Sequence, residues 1–402
     1  MKRLTFLVCA LLLTLGGIQA QKKQVDSKVD NDIYKFTMVN DLPATPIKNQ
    51  SRSGTCWCYS TIAFLEAELL RTGKGEYDLA EMYVVRKNFE DKAEKYVRMH
   101  GQMTFSPGAL FENALRTIRL YGLIPEEAYA GLNYGHDSHM HAELDAITEA
   151  YINAVIKNKK LTTAWKDGYS NILDAYLGKV PEKFTYKGVE YTPRNFMDML
   201  GINVDDYVSI TSFTHHPFYS KFVLEVPDNY FWGESYNVPL DEFIRIVNSS
   251  IEQGYTVGWD SDVSEKGFRH RDGYAVIPDK DDDLDQTSSD RARWEAESGN
   301  NKNKKKEEPK LEPIKEKVIT QKLRQQLFDS YETVDDHLML ITGIAKDQNG
   351  NIFYKVKNSW GTDNSRYDGY LFASTPYVQC KTISILINKN AIPSDIRSKL
   401  GL

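Results

Sequence analysis

Apolar residues in the first half of the chain recur at helical spacing. Ile62, Leu65 and Leu69 fall at i, i+3 and i+7 behind Cys56, and Gly73 offers the left-handed conformation that ends such a helix. A second stripe, Phe111, Leu115 and Ile118, opens at Pro107 and stops at Gly122. A third, Leu144, Ile147, Tyr151 and Val155, predicts another helix with those four residues on its inner face. Residues 56 to about 200 therefore read as mainly helical. Farther along, the period changes. The runs 255–259, 338–345, 352–357, 370–373 and 383–387 are short, rich in β-branched and aromatic residues, and bounded by Gly, Asn and Asp. They predict an antiparallel sheet or barrel.

Two segments fit neither pattern. Residues 279–317 alternate an acidic half with a basic half and hold almost nothing to bury, so they predict a flexible surface insertion. At the N-terminus, Lys2 and Arg3 precede the apolar run 4–15, and Gly16, Gly17 and Ala20 supply small residues before a cut after Ala20. That is the layout of a secretory signal, too short to cross a bilayer core that needs ~20 residues. The expected organisation is a signal over 1–20, a helical lobe over 21–245 and a β lobe over 246–402. The expected location is exported, periplasmic or secreted, with no stable membrane anchor.

Composition narrows the role. A formal net charge of −6 gives no basic surface for nucleic acid. Loss of the signal removes Cys9 and leaves Cys56, Cys58 and Cys380, too few for a disulfide framework. A Cys58 to Cys380 bridge is not expected, because Cys58 falls inside the first helix, where it packs as a small apolar group. The cluster His136, His139 and His141 reads as a polar loop, and His215 and His216 before Pro217 read as a turn. No metal or cofactor is predicted.

Cys56 opens a helix, where the dipole and unpaired backbone N–H groups stabilise a thiolate. The Cys56 N–H and the upstream Gln50 amide are placed to receive an oxyanion. A thiolate needs an imidazole, and of the eight histidines His337 is the one that opens a strand. Asn358 ends the next strand, and a hairpin turning at Asn349 and Gly350 brings it beside His337.

The segments "NQSRSGTCWCYS", "DDHLMLITGI" and "VKNSWG" together resemble the papain-like cysteine peptidases. The resemblance implies an α+β papain-like fold: a helical left lobe and an antiparallel β-barrel right lobe, with a cleft between them. It implies Cys56 as nucleophile, His337 as base and acid, and Asn358 as orienter. Gln50 and the Cys56 amide become the oxyanion hole, with Trp360 shielding the His337–Asn358 bond and Asp336 as a supporting residue. Ser53 stands where the family has its first cysteine. His337 follows Cys56 by 337 − 56 = 281 residues, against about 130 to 150 in papain and cathepsins. The extra chain is assigned to a large, mostly helical insertion at about 136–245 and to 279–317.

Such insertions resemble the bleomycin hydrolase or aminopeptidase C branch. Its members imply peptide substrates, an aminopeptidase activity, a homo-oligomer (a hexamer) and a C-terminus that enters the cleft. An endopeptidase of the papain type is the alternative, and a catalytically silent papain-like binding module or a metal-binding export protein built on the histidine cluster are the remaining rivals.

Overall fold

The computed structural model describes residues 33–280 and 312–402. The segment expected to be a signal and most of the charged insertion lie outside them. Among the described residues, no helix is long and apolar enough to cross a membrane.

The helical lobe is built on α1 (Cys56–Arg71), α2 (Glu81–Arg98) and α3 (Phe111–Tyr121), followed by α4 (Ala142–Ile156), α5 (Ala164–Leu177) and α6 (Pro193–Leu200). Helix α1 is buried almost all round, so its apolar stripe understates its burial. Helix α3 begins four residues after Pro107, at Phe111, because the residue before it, Leu110, is extended. In α4 the buried positions are Leu144, Thr148 and Ile152, while Ile147 is exposed. The predicted stripe is thus rotated, because Thr148 satisfies its hydroxyl on the Leu144 carbonyl and can be buried without cost.

The strands form one sheet of eleven, in the order β5 (Lys221–Val223), β6 (Glu234–Asn237), β4 (Tyr207–Thr211), β13 (Thr382–Asn388), β7 (Val257–Ser261), β10 (His337–Lys346), β11 (Ile352–Lys357), β12 (Tyr370–Ser374), β9 (Tyr274–Ala275) and β8 (Phe268–Arg269). The eleventh, β1 (Thr37–Asp41), pairs with the second half of β10. A separate hairpin, β2 (Phe184–Tyr186) and β3 (Val189–Tyr191), stands alone. Two pairings are parallel, β4 with β6 and β9 with β12. Residues 207–237, assigned to the helical insertion from the sequence, hold three short strands and no α-helix: β4 adds to the edge of β13, so this part of the insertion enlarges the sheet. The helices α7 (Leu240–Glu252), α8 (Gln321–Asp329), α9 (Thr375–Lys381) and α10 (Ser394–Leu400) complete the β lobe. Helix α10 is tied to α7 by the Arg245–Asp395 and Lys399–Glu242 pairs.

Strand β10 explains its own sequence. Leu338 and Leu340 face the helical core, and Met339 and Ile341 face the β-lobe core. A strand covered on both faces reads as an unbroken apolar run, so the usual alternation is lost. Helix α1 docks on it, with Ser60 Oγ donating to the Met339 carbonyl at 2.5 Å.

Polar groups also join the lobes. Lys48 Nζ lies 2.8 Å from Glu81 Oε1 and 3.5 Å from Glu66 Oε1. Thr45 Oγ1 donates to Glu66 Oε2 at 2.5 Å and accepts from Lys357 Nζ at 2.9 Å. Burial pushes Glu81 up to about 8 and Lys357 down to about 8.

Close packing between the lobes requires Gly258 on β7. A Cβ there would meet the Phe111 ring at 2.9 Å and Leu386 Cβ at 3.0 Å. Gly258→Val is expected to lower stability by about 1–3 kcal/mol through overpacking, read as a lower urea midpoint with an unchanged slope.

Candidate active site

The first residue of β10 and the residues that follow the end of β11 meet at one place, and α1 docks on the same strand, β10. His337 is fully buried, and its Nε2 lies 2.8 Å from Asn358 Oδ1. The β10–β11 hairpin causes this proximity: Leu340 pairs with Lys357, and the turn closes by a Gly350 N–H bond to the Asp347 carbonyl. His337 Nδ1, on the ring side away from Asn358, is buried without a hydrogen-bond partner. Asn358 is itself held. Its Oδ1 also accepts from the Ser359 N–H at 2.7 Å, and its Nδ2 lies 3.3 Å from His270 Nδ1. Trp360 covers the assembly, its ring 4.7 Å from that of His337 and 5.0 Å from that of His270.

Gln50 is buried beside these residues. Its backbone N–H donates to the Ser359 carbonyl at 2.8 Å, and Ser359 Oγ donates to its Oε1 at 2.7 Å. With Oε1 occupied by a donor, the Nε2 end of the amide is the end left to donate. Sequence reasoning missed Ser359 and His270. The first sits inside a quoted motif, and the second opens a three-residue 3-10 turn, His270–Asp272, directly after β8, with no local signal.

Cys56 starts α1 and is 8% exposed, whereas Cys58, two residues on, is fully buried with its Sγ on the Glu81 carbonyl at 3.2 Å. Burial drives the Cys58 thiol well above its ordinary range and Cys380 up to about 11. Cys58 packs in the helical core and Cys380 in the β-lobe core. The Asp336 carboxylate turns away from His337. Its Oδ2 accepts from Ser264 Oγ at 2.9 Å and from the Val263 N–H at 3.3 Å, fixing the turn after β7.

The histidine cluster differs from the polar loop expected. His136 is exposed, but His139 and His141 are buried with rings 5.6 Å apart, because the backbone around them pairs with the segment before Cys56. Arg52 N–H donates to the His139 carbonyl and His141 N–H to the Arg52 carbonyl. The imidazoles follow that backbone inward.

His215 and His216 do more than turn the chain. Their Nε2 atoms lie 2.9 and 3.3 Å from the two oxygens of Glu225. Two imidazoles and a carboxylate are metal ligands in type, yet the surroundings set the other state. Gln325 Oε1 accepts from Thr214 N–H and Oγ1, so its Nε2 faces His215 Nδ1 at 3.0 Å as a donor. That leaves the His215 proton on Nε2, where a metal would have to bind. The group acts as a hydrogen-bonded clasp.

Comparison with known proteins gives a consistent assignment. A family model described as the Peptidase C1-like family matches residues 316–401, the segment carrying His337, Asn358 and Trp360. Aminopeptidase C of Streptococcus thermophilus is 22% identical over 435 residues, covering 95% of this chain and 88% of that protein. Cysteine proteinase 1, mitochondrial, of Saccharomyces cerevisiae is 21% identical, covering 92% and 80%. The crystal structure of PepW from Lactobacillus rhamnosis superposes with a TM-score of 0.67 at 19% identity, over 91% of this chain and 84% of that one. The architecture and the family match define a papain-like cysteine peptidase with an α+β fold. Within that class the chain is similar to aminopeptidase C.

Burial pushes His139 down to about 4 and His141 to about 3, below the ordinary value of 6.5. Folded-state values depressed in this way contribute stability above pH 6.5 that is lost as pH falls toward 4 and then 3. A tenfold change in proton affinity is worth about 1.4 kcal/mol. The histidines' share of the pH dependence lowers stability on acidification below pH 6.5, so the melting temperature of His139→Gln with His141→Gln is expected to shift upward relative to the parent as pH falls. Parallel melting curves for variant and parent from pH 7 to 4 would contradict this.

Proposed function

We propose that the chain is an exported cysteine aminopeptidase in which Cys56 is the nucleophile and His337 its acid and base. The observation that carries the reading is the His337 geometry: Nε2 engaged by Asn358 at 2.8 Å and Nδ1 left without a partner, which is the state of an imidazole prepared to exchange a proton. The docking of α1 on β10 supports the pairing. From the Ser60–Met339 contact, Cys56 lies one helical turn back, ~6 Å, and His337 two strand residues back, ~6.6 Å. Farther along, Glu66 of α1 and Lys357 beside Leu340 share Thr45, so helix and strand run in the same direction and both steps lead to the same end.

In the reaction the Cys56 thiolate attacks the peptide carbonyl carbon, and the carbonyl π electrons move to oxygen. Gln50 Nε2 and the Cys56 N–H receive that oxyanion. As it collapses, the C–N bond breaks, and the proton on His337 Nδ1 passes to the departing amine. His337 then takes a proton from water, the hydroxide attacks the thioester, and the sulfur leaves as thiolate. Asn358, held by Ser359 and His270, fixes the imidazole tautomer, and Trp360 keeps water from their hydrogen bond.

Exopeptidase action is supported by the likeness to aminopeptidase C, and assembly into a homo-oligomer is proposed on the same likeness. Export is proposed from residues 1–20.

Cys56→Ala is expected to abolish hydrolysis and covalent labelling by a peptidyl epoxide. Gln50→Ala should lower kcat roughly a hundredfold with KM little changed, as expected for one oxyanion donor. Free and N-acetylated peptides separate the modes: strong preference for the free amine is the aminopeptidase outcome, and equal cleavage would establish internal cutting instead.

A further inference from the structure

His139 and His141 have no part in the proposed mechanism, and the fold leaves their rings incompletely bonded. Met140 between them is exposed while both histidines are buried, so extended alternation turns the two imidazoles to one inward face. His139 Nδ1 and both ring nitrogens of His141 are buried without a hydrogen-bond partner. A neutral imidazole carries one N–H donor and one bare lone pair, and buried groups of this kind are nearly always met. Protons do not meet them near pH 7, because burial holds His139 at about 4 and His141 at about 3. Three unmet nitrogens on two adjoining neutral rings call for a ligand that takes up lone pairs, as a metal ion does.

The spacing suits a shared ion. The ring centres stand 5.6 Å apart, with the planes at 80°. Two nitrogens each roughly 2 Å from one ion, and each roughly 1 Å from its own ring centre, put those centres at most about 6 Å apart. A wide, bent N–metal–N angle therefore matches, and the broad χ2 preference of histidine lets the rings turn toward the ion without moving the backbone. The Ser53 backbone acts on the His141 ring from outside hydrogen-bonding geometry and favours a ring N–H. Metal-bound histidines are commonly oriented in that way, the second nitrogen facing a backbone carbonyl.

Charge and coordination number select the ion. Among the described residues no carboxylate acts on either ring, so nothing offsets a second positive charge. With His139 7% and His141 0% exposed, water has little room to complete the four-coordinate shell that zinc takes. Cu(I) carries a single charge, is bound by imidazole and forms two-coordinate complexes.

We propose that His139 and His141 bind one cuprous ion, Cu(I), in a buried two-nitrogen site. The site lies against the chain that carries the reacting groups. The His139 carbonyl accepts from the Arg52 N–H at 2.9 Å, the Arg52 carbonyl accepts from the His141 N–H at 3.1 Å, and Arg52 stands between Gln50 and Cys56. The bound ion ties together side chains whose backbone already holds Arg52, and so fixes the approach to the nucleophile helix. This goes beyond the peptidase reading and does not depend on it.

The test uses the full chain carrying Cys56→Ala, which removes a competing thiol. Cu(I) is added anaerobically with ascorbate, and its partition against bicinchoninate, a coloured Cu(I) chelator, gives stoichiometry and affinity. We expect one tightly held ion per chain, an X-ray absorption spectrum showing two nitrogen ligands and no sulfur, and a raised melting temperature. His139→Gln with His141→Gln should weaken binding roughly a hundredfold or more, while His215→Gln with His216→Gln should leave it within about twofold. Zn(II) should not raise the melting temperature. No bound copper, sulfur in its shell, binding that survives loss of both His139 and His141, loss of binding with His215 and His216, or an equal response to Zn(II) would each overturn the proposal. The absorption spectrum decides even where the double variant does not fold. Failure of the peptidase reading is a separate observation, a parent chain that neither hydrolyses peptides nor is labelled at Cys56.

Discussion

The active site depends on a charged cluster buried where the two lobes meet. Lys48 stands two residues before Gln50, Glu66 belongs to the helix that Cys56 begins, Glu81 opens α2, and Lys357 immediately precedes Asn358. Lys48 is bonded to both glutamates, and Thr45 connects Glu66 to Lys357. Gln50, Cys56 and Asn358 thus each share a chain segment with a member of one network. Removing a single partner would strand a charge in a low-dielectric interior, a loss on the order of 3–5 kcal/mol. Such a cluster gains little stability over apolar packing, but it fixes the registration of one lobe on the other far more narrowly than apolar contact does.

Much of this was legible from the chain, and the reason is local. Cys56 at a helix start, His337 at a strand start and Asn358 at the end of the partner strand are features of neighbouring residues. The hairpin arithmetic that joins the last two needs only a turn at Asn349 and Gly350. What escaped was contact between distant residues. Asp228 reaches Ser106, His270 reaches Asn358, and Lys48 reaches Glu81, each over a separation that periodicity does not record. The polar helix α2, with mixed burial and no clean stripe, was missed for the same reason: Lys92 and Asn88 are buried because they are hydrogen-bonded, not because they are apolar.

The errors are also instructive. The rotated face of α4 and the strands at 207–237 both arise where an insertion is accommodated by an existing surface. Strand β4 extends β13 because an open sheet edge offers unpaired N–H and C=O groups that any added segment can satisfy. His139 and His141 are drawn inward by backbone bonds to Arg52, overriding the preference of imidazole for water.

The charged tract leaves and re-enters the fold through a closed gate. Asp279 N–H bonds to the Lys315 carbonyl, Lys317 N–H bonds to the Ile277 carbonyl, and Pro278 bridges Glu316. Because Ile277–Asp279 and Lys315–Lys317 are already stitched together, the closure cost of any flexible chain joining them would grow only logarithmically with its length. Evolution, or an engineer, can lengthen, shorten or replace that stretch while β9 and α8 keep their positions, which makes it a natural port for grafting a foreign domain.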